Sequence, residues 1–176
     1  MPPEAPVLTT RAATASDAVA VGNLHASVFG PGRFVRTAYR VREGTPFASP
    51  YCRLASLGDR LVAALRLTPV TIGGARGGVL LGPLAVDPDF ANLGYGRRLI
   101  VEGLELARAD GQRVVLLVGD LAYYGRLGFV PLPPNQVRLP GPADSDRVLA
   151  FELVAGAAAS AKGLIVAASR RENPRS

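Results

Sequence analysis

The residues best placed to do chemistry lie in one stretch, Gly82-Pro-Leu-Ala-Val-Asp-Pro-Asp-Phe-Ala-Asn-Leu-Gly-Tyr-Gly-Arg-Arg-Leu99. Gly94 and Gly96 are followed at once by Arg97, Arg98 and an amphipathic run with Leu99, Ile100, Leu104 and Ala107 on one face. That pattern is a tight turn opening a helix. A helix start carries N–H groups without intrahelical acceptors and about half a positive charge. Glycines, lacking Cβ, let an anion approach those groups closely. The loop Asn92, Leu93, Gly94, Tyr95, Gly96 can therefore cradle a pyrophosphate, with Arg97 and Arg98 in reach of a phosphate. The same residues also make an ordinary glycine-rich strand-to-helix turn, and the spacing alone does not separate the two. It is not a dinucleotide fingerprint, because the third glycine of G-x-G-x-x-G falls on Leu99, and no G-K-[ST] follows to make a P-loop.

A second stretch, Leu117-Val-Gly-Asp-Leu-Ala-Tyr-Tyr-Gly-Arg-Leu-Gly-Phe-Val130, supplies Asp120, Tyr123 and Tyr124. Other chemistries lack parts. Cys52 is the one cysteine and His25 the one histidine, so neither a thiolate cluster nor an ordinary zinc site is expected, and no metal. A hydrolase would have to use His25, which falls within an expected helix, and no G-x-S-x-G elbow exists.

The elements that must position these residues follow from periodicity and breakers. Strands are expected at 7–10, 51–56 and 61–67, the last two joined by a turn at Leu57-Gly-Asp-Arg60. Ser16-Asp17 can cap a helix running to about Phe29, which Gly30-Pro-Gly32 breaks. A strand over 79–86, a helix over 94–110 and a strand over 113–118 form a β-α-β unit, so those two strands are parallel. A short helix follows over 121–127, then a strand from Phe129, a proline-rich loop over 132–145 and a last firm strand over 147–154. Short turns make the early and late strands antiparallel. The fold class is thus α/β with a mixed, mostly antiparallel sheet. We expect a flexible start over 1–6, one domain over 7–154, and a C-terminal extension over 155–176, partly ordered and ending in a basic tail.

A chain of 176 residues with net charge +6 and pI near 10.2 invites a nucleic-acid reading. Yet 19 of its 20 basic residues are arginine, scattered from Arg11 to Arg175, which fits a GC-rich coding bias better than a binding patch. No helix-turn-helix, RNA-recognition or zinc-finger signature is present, so no nucleic-acid partner is expected. No apolar run approaches the roughly 18 residues that span a bilayer. The first residues lack a basic region followed by an apolar one, so no secretory signal is expected there. A cytoplasmic protein without membrane partners is the expectation.

Taken together, the two stretches resemble the GCN5-related N-acetyltransferase (GNAT) superfamily. Val86-Asp-Pro88 with Leu93-Gly-Tyr-Gly96 resembles its acyl-CoA loop, and Tyr124-Gly-Arg-Leu-Gly-Phe129 resembles the tyrosine and Gly-Phe of its later motif. Gly82-Pro-Leu-Ala-Val86 with Gly119-Asp-Leu-Ala-Tyr-Tyr124 is similar to its bacterial YhbS-like branch, over roughly residues 7–154. One departure stands out. Counting back from Gly94, the family's Gln/Arg position is Ala91, which keeps a backbone N–H but loses a side-chain contact.

The resemblance implies transfer of an acetyl group from acetyl-CoA to an amine by direct attack, with the thioester held beside the amine. It implies a pantetheine lying between two parallel strands that splay apart, here those ending near Val86 and Val118. Backbone groups of Leu84, Ala85 and Val86 would hold it, and an N–H there would polarise the thioester carbonyl. Tyr124 matches the family's tyrosine and would protonate the leaving thiolate, with Tyr123 in reserve. Asp120 is the candidate base or water-orienting group, and it is equally an N-cap of the short helix. Glu43 and Asp87 are more distant candidates. The acceptor pocket is expected from about Phe29 to Tyr51, where Phe34, Tyr39, Phe47 and Tyr51 mingle with Arg33, Arg36, Arg40 and Arg42. Those arginines suit a carboxylate-bearing or phosphorylated acceptor, or simply a solvated face. A homodimer is a family habit. A non-catalytic acetyl-CoA sensor is the alternative.

Overall fold

The computed structural model describes residues 1–30, 41–140 and 147–168. Its strands are β1 (Leu8–Ala12), β2 (Arg53–Leu57), β3 (Arg60–Ile72), β4 (Ala75–Val86), β5 (Val114–Val118), β6 (Val130–Pro131), β7 (Val137–Arg138), β8 (Val148–Glu152) and β9 (Gly163–Ala167). Its helices are α1 (Ala18–Phe29), α2 (Tyr95–Ala109), α3 (Leu121–Tyr124) and α4 (Ala157–Ser160). The sheet runs β1-β2-β3-β4-β5-β8-β6, and β9 joins β3 to β7. Within that path β4 and β5 are parallel and every other pair is antiparallel, so the expected mixed sheet is present.

Helices cover both faces. Leu99, Ile100 and Leu104 of α2 pack on Ala63, Leu65, Leu67, Val79 and Leu81. Val21 and Leu24 of α1 pack on Leu54, Ala64 and Ala85. Neighbouring Ala63 and Ala64 serve opposite layers because side chains alternate along a strand. α2 lies close: a Cβ on Gly103 would stand 2.6 Å from Leu67 Cδ1. At the far end of the sheet, Val70, Leu80, Leu116 and Ile165 form a further core under β7 and α4.

One irregularity shapes everything that follows. Leu67 pairs with Leu81 but Leu65 pairs with Leu84, so β4 carries one extra residue at Gly82-Pro83. Such a bulge bends a strand and shifts its side-chain parity. Before it, Val79 and Leu81 face α2; after it, Leu84 and Val86 do, and Ala85 faces α1. The parallel ladder to β5 covers only Gly78–Leu80 against Val114–Leu116. Among the described residues, no strand pairs with the β5 side of Leu81–Val86. The two parallel strands therefore begin side by side and separate.

Several sequence expectations shift. Strand β3 runs on through Pro69, beyond the expected end at Leu67. Proline is tolerated because the Pro69 carbonyl, and hence its missing N–H, faces the outer edge, where Ala168 N–H donates to that carbonyl at 2.9 Å. Residues 163–167, expected as part of an extension beyond the last firm strand, form β9 and insert Ile165 into the core. The proline-rich loop contains β7. Helix α1 ends at Phe29 as expected, but its entry is organised by Asp17, which accepts from the Thr14 N–H and pairs with Arg11, not by Ser16.

Candidate functional site

The site begins where β4 ends. Asp87 turns the chain by accepting the Asp89 N–H at 3.0 Å, and Pro88–Phe90 make one tight helical turn. Arg60 pairs with Asp87 at 2.8 Å and Asp89 at 3.2 Å and lies 4.8 Å above the Phe90 ring. Phe90 in turn stacks on Tyr95, centroids 6.4 Å apart. These contacts hold Asp87 below the usual carboxylate range, first through the Asp89 N–H and then through Arg60. They also prop the loop in place. Arg60 had no signal in the sequence reading, because its partners lie 27 and 29 residues away.

The glycine-rich loop has the form expected of a cradle. Asn92 (φ 62°) and Gly94 (φ 83°) adopt left-handed backbone, which aims successive N–H groups to one side. No described group accepts a hydrogen bond from the N–H groups of residues 92–97, whereas Arg98 N–H already donates to Gly94. Ala91 differs from expectation. Its N–H donates to Pro88 at 3.3 Å, so it is used within the turn and does not join the cradle.

Gly96 is buried and must be small. A Cβ there would stand 3.2 Å from Val86 Cγ2, 3.3 Å from Leu84 Cδ2 and 3.3 Å from the Tyr123 hydroxyl. Leu93 is exposed. The two arginines part company. Arg98 Nε lies 3.6 Å from Glu102, which also accepts from Thr10 (2.7 Å) and Arg53 (3.2 Å). Arg97 forms no ion pair among the described residues, and its charge is felt at Tyr123.

Across the gap, β5 delivers Gly119, Asp120 and α3. A Cβ on Gly119 would stand 2.7 Å from Tyr124 Cε2, so the Tyr124 ring lies over the strand end. Its edge meets Tyr123 at 4.8 Å and Phe129 at 5.7 Å. Burial pushes the Tyr124 hydroxyl up to about 12, with Tyr123 adding to the rise, and it makes no hydrogen bond among the described residues. Tyr123 is half exposed, and burial raises it against the opposing pull of Arg97. Asp120 accepts the Ala122 N–H at 3.0 Å and caps α3, as its second reading anticipated. The structure thus brings together Leu84, Val86, residues 92–97, Tyr123 and Tyr124, while Ala85 points to α1 and Arg98 to Glu102.

The chain that builds this arrangement has known relatives. The model of the Acetyltransferase (GNAT) family matches residues 21–129. The chain belongs to the GNAT acetyltransferase family. Its relatives include YjhQ of Escherichia coli K12, named as an uncharacterized N-acetyltransferase, 30% identical over 119 residues or 66% of this chain. YhbS of the same organism, similarly named, is 31% identical over 85 residues or 48% of this chain. The matched stretches span 66% and 51% of those relatives' own lengths. The solved structure of Escherichia coli YhbS in complex with CoA shares the fold, with a TM-score of 0.79 at 24% identity, over 96% of this chain and 93% of that one. A Brucella melitensis GNAT acetyltransferase in complex with acetyl-CoA has a TM-score of 0.60 at 29% identity, over 82% of this chain and 96% of that one.

The acceptor region of this GNAT member is only partly as expected. Arg33, Phe34, Arg36, Tyr39 and Arg40 lie outside the described residues. Tyr51 does not form an acceptor wall. It is buried, donates to Asp110 and accepts from Gln112 at 2.9 Å, which fastens the loop before β2 to the end of α2. Arg42 is buried, as is His25, which packs on Phe29. No helix among the described residues is long and apolar enough to cross a membrane.

Proposed function

We propose that this protein transfers an acetyl group from acetyl-CoA to a primary amine by direct attack within a ternary complex. The observation that carries this reading is the parting of β4 and β5 beside N–H groups 92–97 that have no acceptor among the described residues. Those N–H groups, with Arg97, would bind the pyrophosphate, since an oriented row of donors at a helix start stabilises negative charge. The free edge of Leu84–Val86 would hold the pantetheine amides as a strand partner does. The same edge donates to the thioester oxygen as charge develops there.

Tyr124 would serve as the acid. Raised to about 12, its hydroxyl stays protonated across the physiological range and so remains a hydrogen-bond donor for the departing thiolate. Loss of a free hydroxyl donor from a general acid costs about 10²-fold in rate. Asp120, already engaged by Ala122, would orient water rather than take the amine proton alone.

Acetyl-CoA should raise the melting temperature, and thiol should be released when an amine library is added. Tyr124→Phe should lower kcat about 10²-fold with an unchanged Kd for acetyl-CoA. Full activity in that variant removes Tyr124 from the acid role. Stabilisation by acetyl-CoA with no thiol release from any amine would instead identify a cofactor sensor.

A further inference from the structure

Two consecutive tyrosines end α3, and their settings differ. Successive residues on a helix point about 100° apart, so the two rings cannot lie on the same neighbours. Tyr124 lies over Gly119 and against Phe129, and burial raises its hydroxyl. Tyr123 meets that ring edge-on, with the two planes at 90°, and is 45% exposed.

The Tyr123 hydroxyl reaches back across the gap between the parallel strands. Its own segment follows β5, yet the groups it meets belong to the other side of the gap. A Cβ placed on Gly96 would stand 3.3 Å from that hydroxyl, 3.3 Å from Leu84 Cδ2 and 3.2 Å from Val86 Cγ2. The three side chains therefore converge on one point, at the first turn of α2 and over the end of β4. Leu84 and Val86 face α2 after the bulge, so Tyr123 spans the gap on the α2 side. Gly96, having no side chain, leaves the hydroxyl its place.

Nothing in the described chain uses that hydroxyl. It makes no hydrogen bond among the described residues. The aliphatic tips of Leu84 and Val86 offer it no acceptor. The Arg97 charge is felt at it, so hydroxyl and guanidinium face a common space. Close by stand the N–H groups of residues 92–97, which also lack acceptors among the described residues. One more donor beside such a row suits an oxygen-rich anionic ligand. The position is also a junction. The glycine cradle lies on one side of the hydroxyl, and the free edge of Leu84–Val86 on the other.

We infer, resting on the acetyl-transfer reading, that Tyr123 is a cofactor-binding residue: its hydroxyl donates to coenzyme A where the pyrophosphate passes into the pantetheine, and its ring walls the gap between β4 and β5 on the α2 side. The two tyrosines then divide the work. Tyr123 holds the cofactor, and Tyr124 serves the departing thiolate. Tyr123 is not a reserve acid.

Calorimetric titration of the wild type and Tyr123→Phe with CoA tests this. The Kd for CoA should rise about ten-fold in the variant, as the loss of one hydrogen bond implies. The KM for acetyl-CoA should rise with it, while kcat at saturation falls far less. Adenosine 3′,5′-bisphosphate, which ends before the pantetheine, is the internal control, and its Kd should be the same in both proteins. Tyr123→Leu, which also opens the gap, should weaken CoA further. An unchanged Kd for CoA in Tyr123→Phe overturns the inference. So does an equal loss for CoA and the bisphosphate, which would mean that the side chain only shapes the cradle. A kcat about 10²-fold lower with an unchanged Kd overturns it too, by making Tyr123 the acid. Tyr123→Leu binding CoA as well as Tyr123→Phe removes the ring from its role. Failure of the wild type to bind acetyl-CoA is a separate result, which overturns the transferase reading itself and this inference with it.

Discussion

The two ends of helix α2 treat their polar groups in opposite ways. At its C-terminal end nearly everything is paired. The Asp110, Gly111 and Gln112 N–H groups donate to Leu106, Arg108 and Ala107, while Tyr51 binds Asp110 and Gln112. At its N-terminal end the N–H groups of residues 92–97 find no acceptor among the described residues. The open end is propped by Arg60, Phe90 and Tyr95, and a helix start kept open in this way favours an anion.

The sharpest way to break this contrast is to close the open end sterically. Gly96→Val should weaken acetyl-CoA binding about 100-fold, as overpacking by ~1–3 kcal/mol implies, by pushing Val86, Leu84 and Tyr123 apart. Gly96→Ala should give a smaller loss of the same sign. Calorimetric titration checks both, with melting temperatures run alongside.

Opening the closed end should cost stability and spare the cofactor. Tyr51→Phe removes a donor from Asp110 and should cost about 1–2 kcal/mol in denaturant unfolding, with the Kd for acetyl-CoA unchanged. A parallel loss of cofactor affinity would show that the two ends are coupled.

Alkaline pH probes both regions at once. Burial and Asp110 push Tyr51 up to about 12, and burial pushes Tyr124 to about the same value. A tyrosine whose folded value exceeds its unfolded value of about 10 stays protonated in the folded chain while the unfolded chain ionises. Its stabilisation is complete below pH 10 and is lost as pH rises toward 12. Thermal melts from pH 8 to 11.5 should show this decline, and it should be shallower in Tyr51→Phe. By the same sign, ionisation of Tyr124 should not limit activity below pH 10.

The smallest effect separates two adjacent arginines. Arg97→Ala should weaken acetyl-CoA binding about five-fold, as one exposed charge contact implies. Arg98→Ala should leave it unchanged and loosen the Glu102 cluster with Thr10 and Arg53 instead. Equal losses would mean that Arg98 leaves Glu102 when the cofactor arrives.

Much of this was legible beforehand, for local reasons. Helix α2, the β-α-β unit and the left-handed demand at Gly94 follow from periodicity and from glycine chemistry within a few residues. The bulge left a trace in Gly82-Pro83, a pair that fits poorly inside a regular strand, but its consequence was unreadable. One extra residue sends Leu84 and Val86 to Gly96 and Ala85 to α1 only once β3 is alongside. The strand β9 looked like an extension because its partner on β3 lies some 95 residues away, as the Thr71–Val166 pairing shows.

The sequence by itself determined the family and most of the elements, because turns, caps and helix starts are set by neighbours along the chain. The tertiary structure decided which of those residues are available. It assigned Arg98 to Glu102 and left Arg97, spent the Ala91 N–H on Pro88, fastened Tyr51 to Asp110, and set Tyr123 against Gly96 and Tyr124 over Gly119. Each choice depends on a close contact within a packed fold, and apart from the local Ala91 turn, the Arg98–Glu102 pairing on α2 and the Tyr124 ring over Gly119, each partner lies too far along the chain for spacing to reveal it.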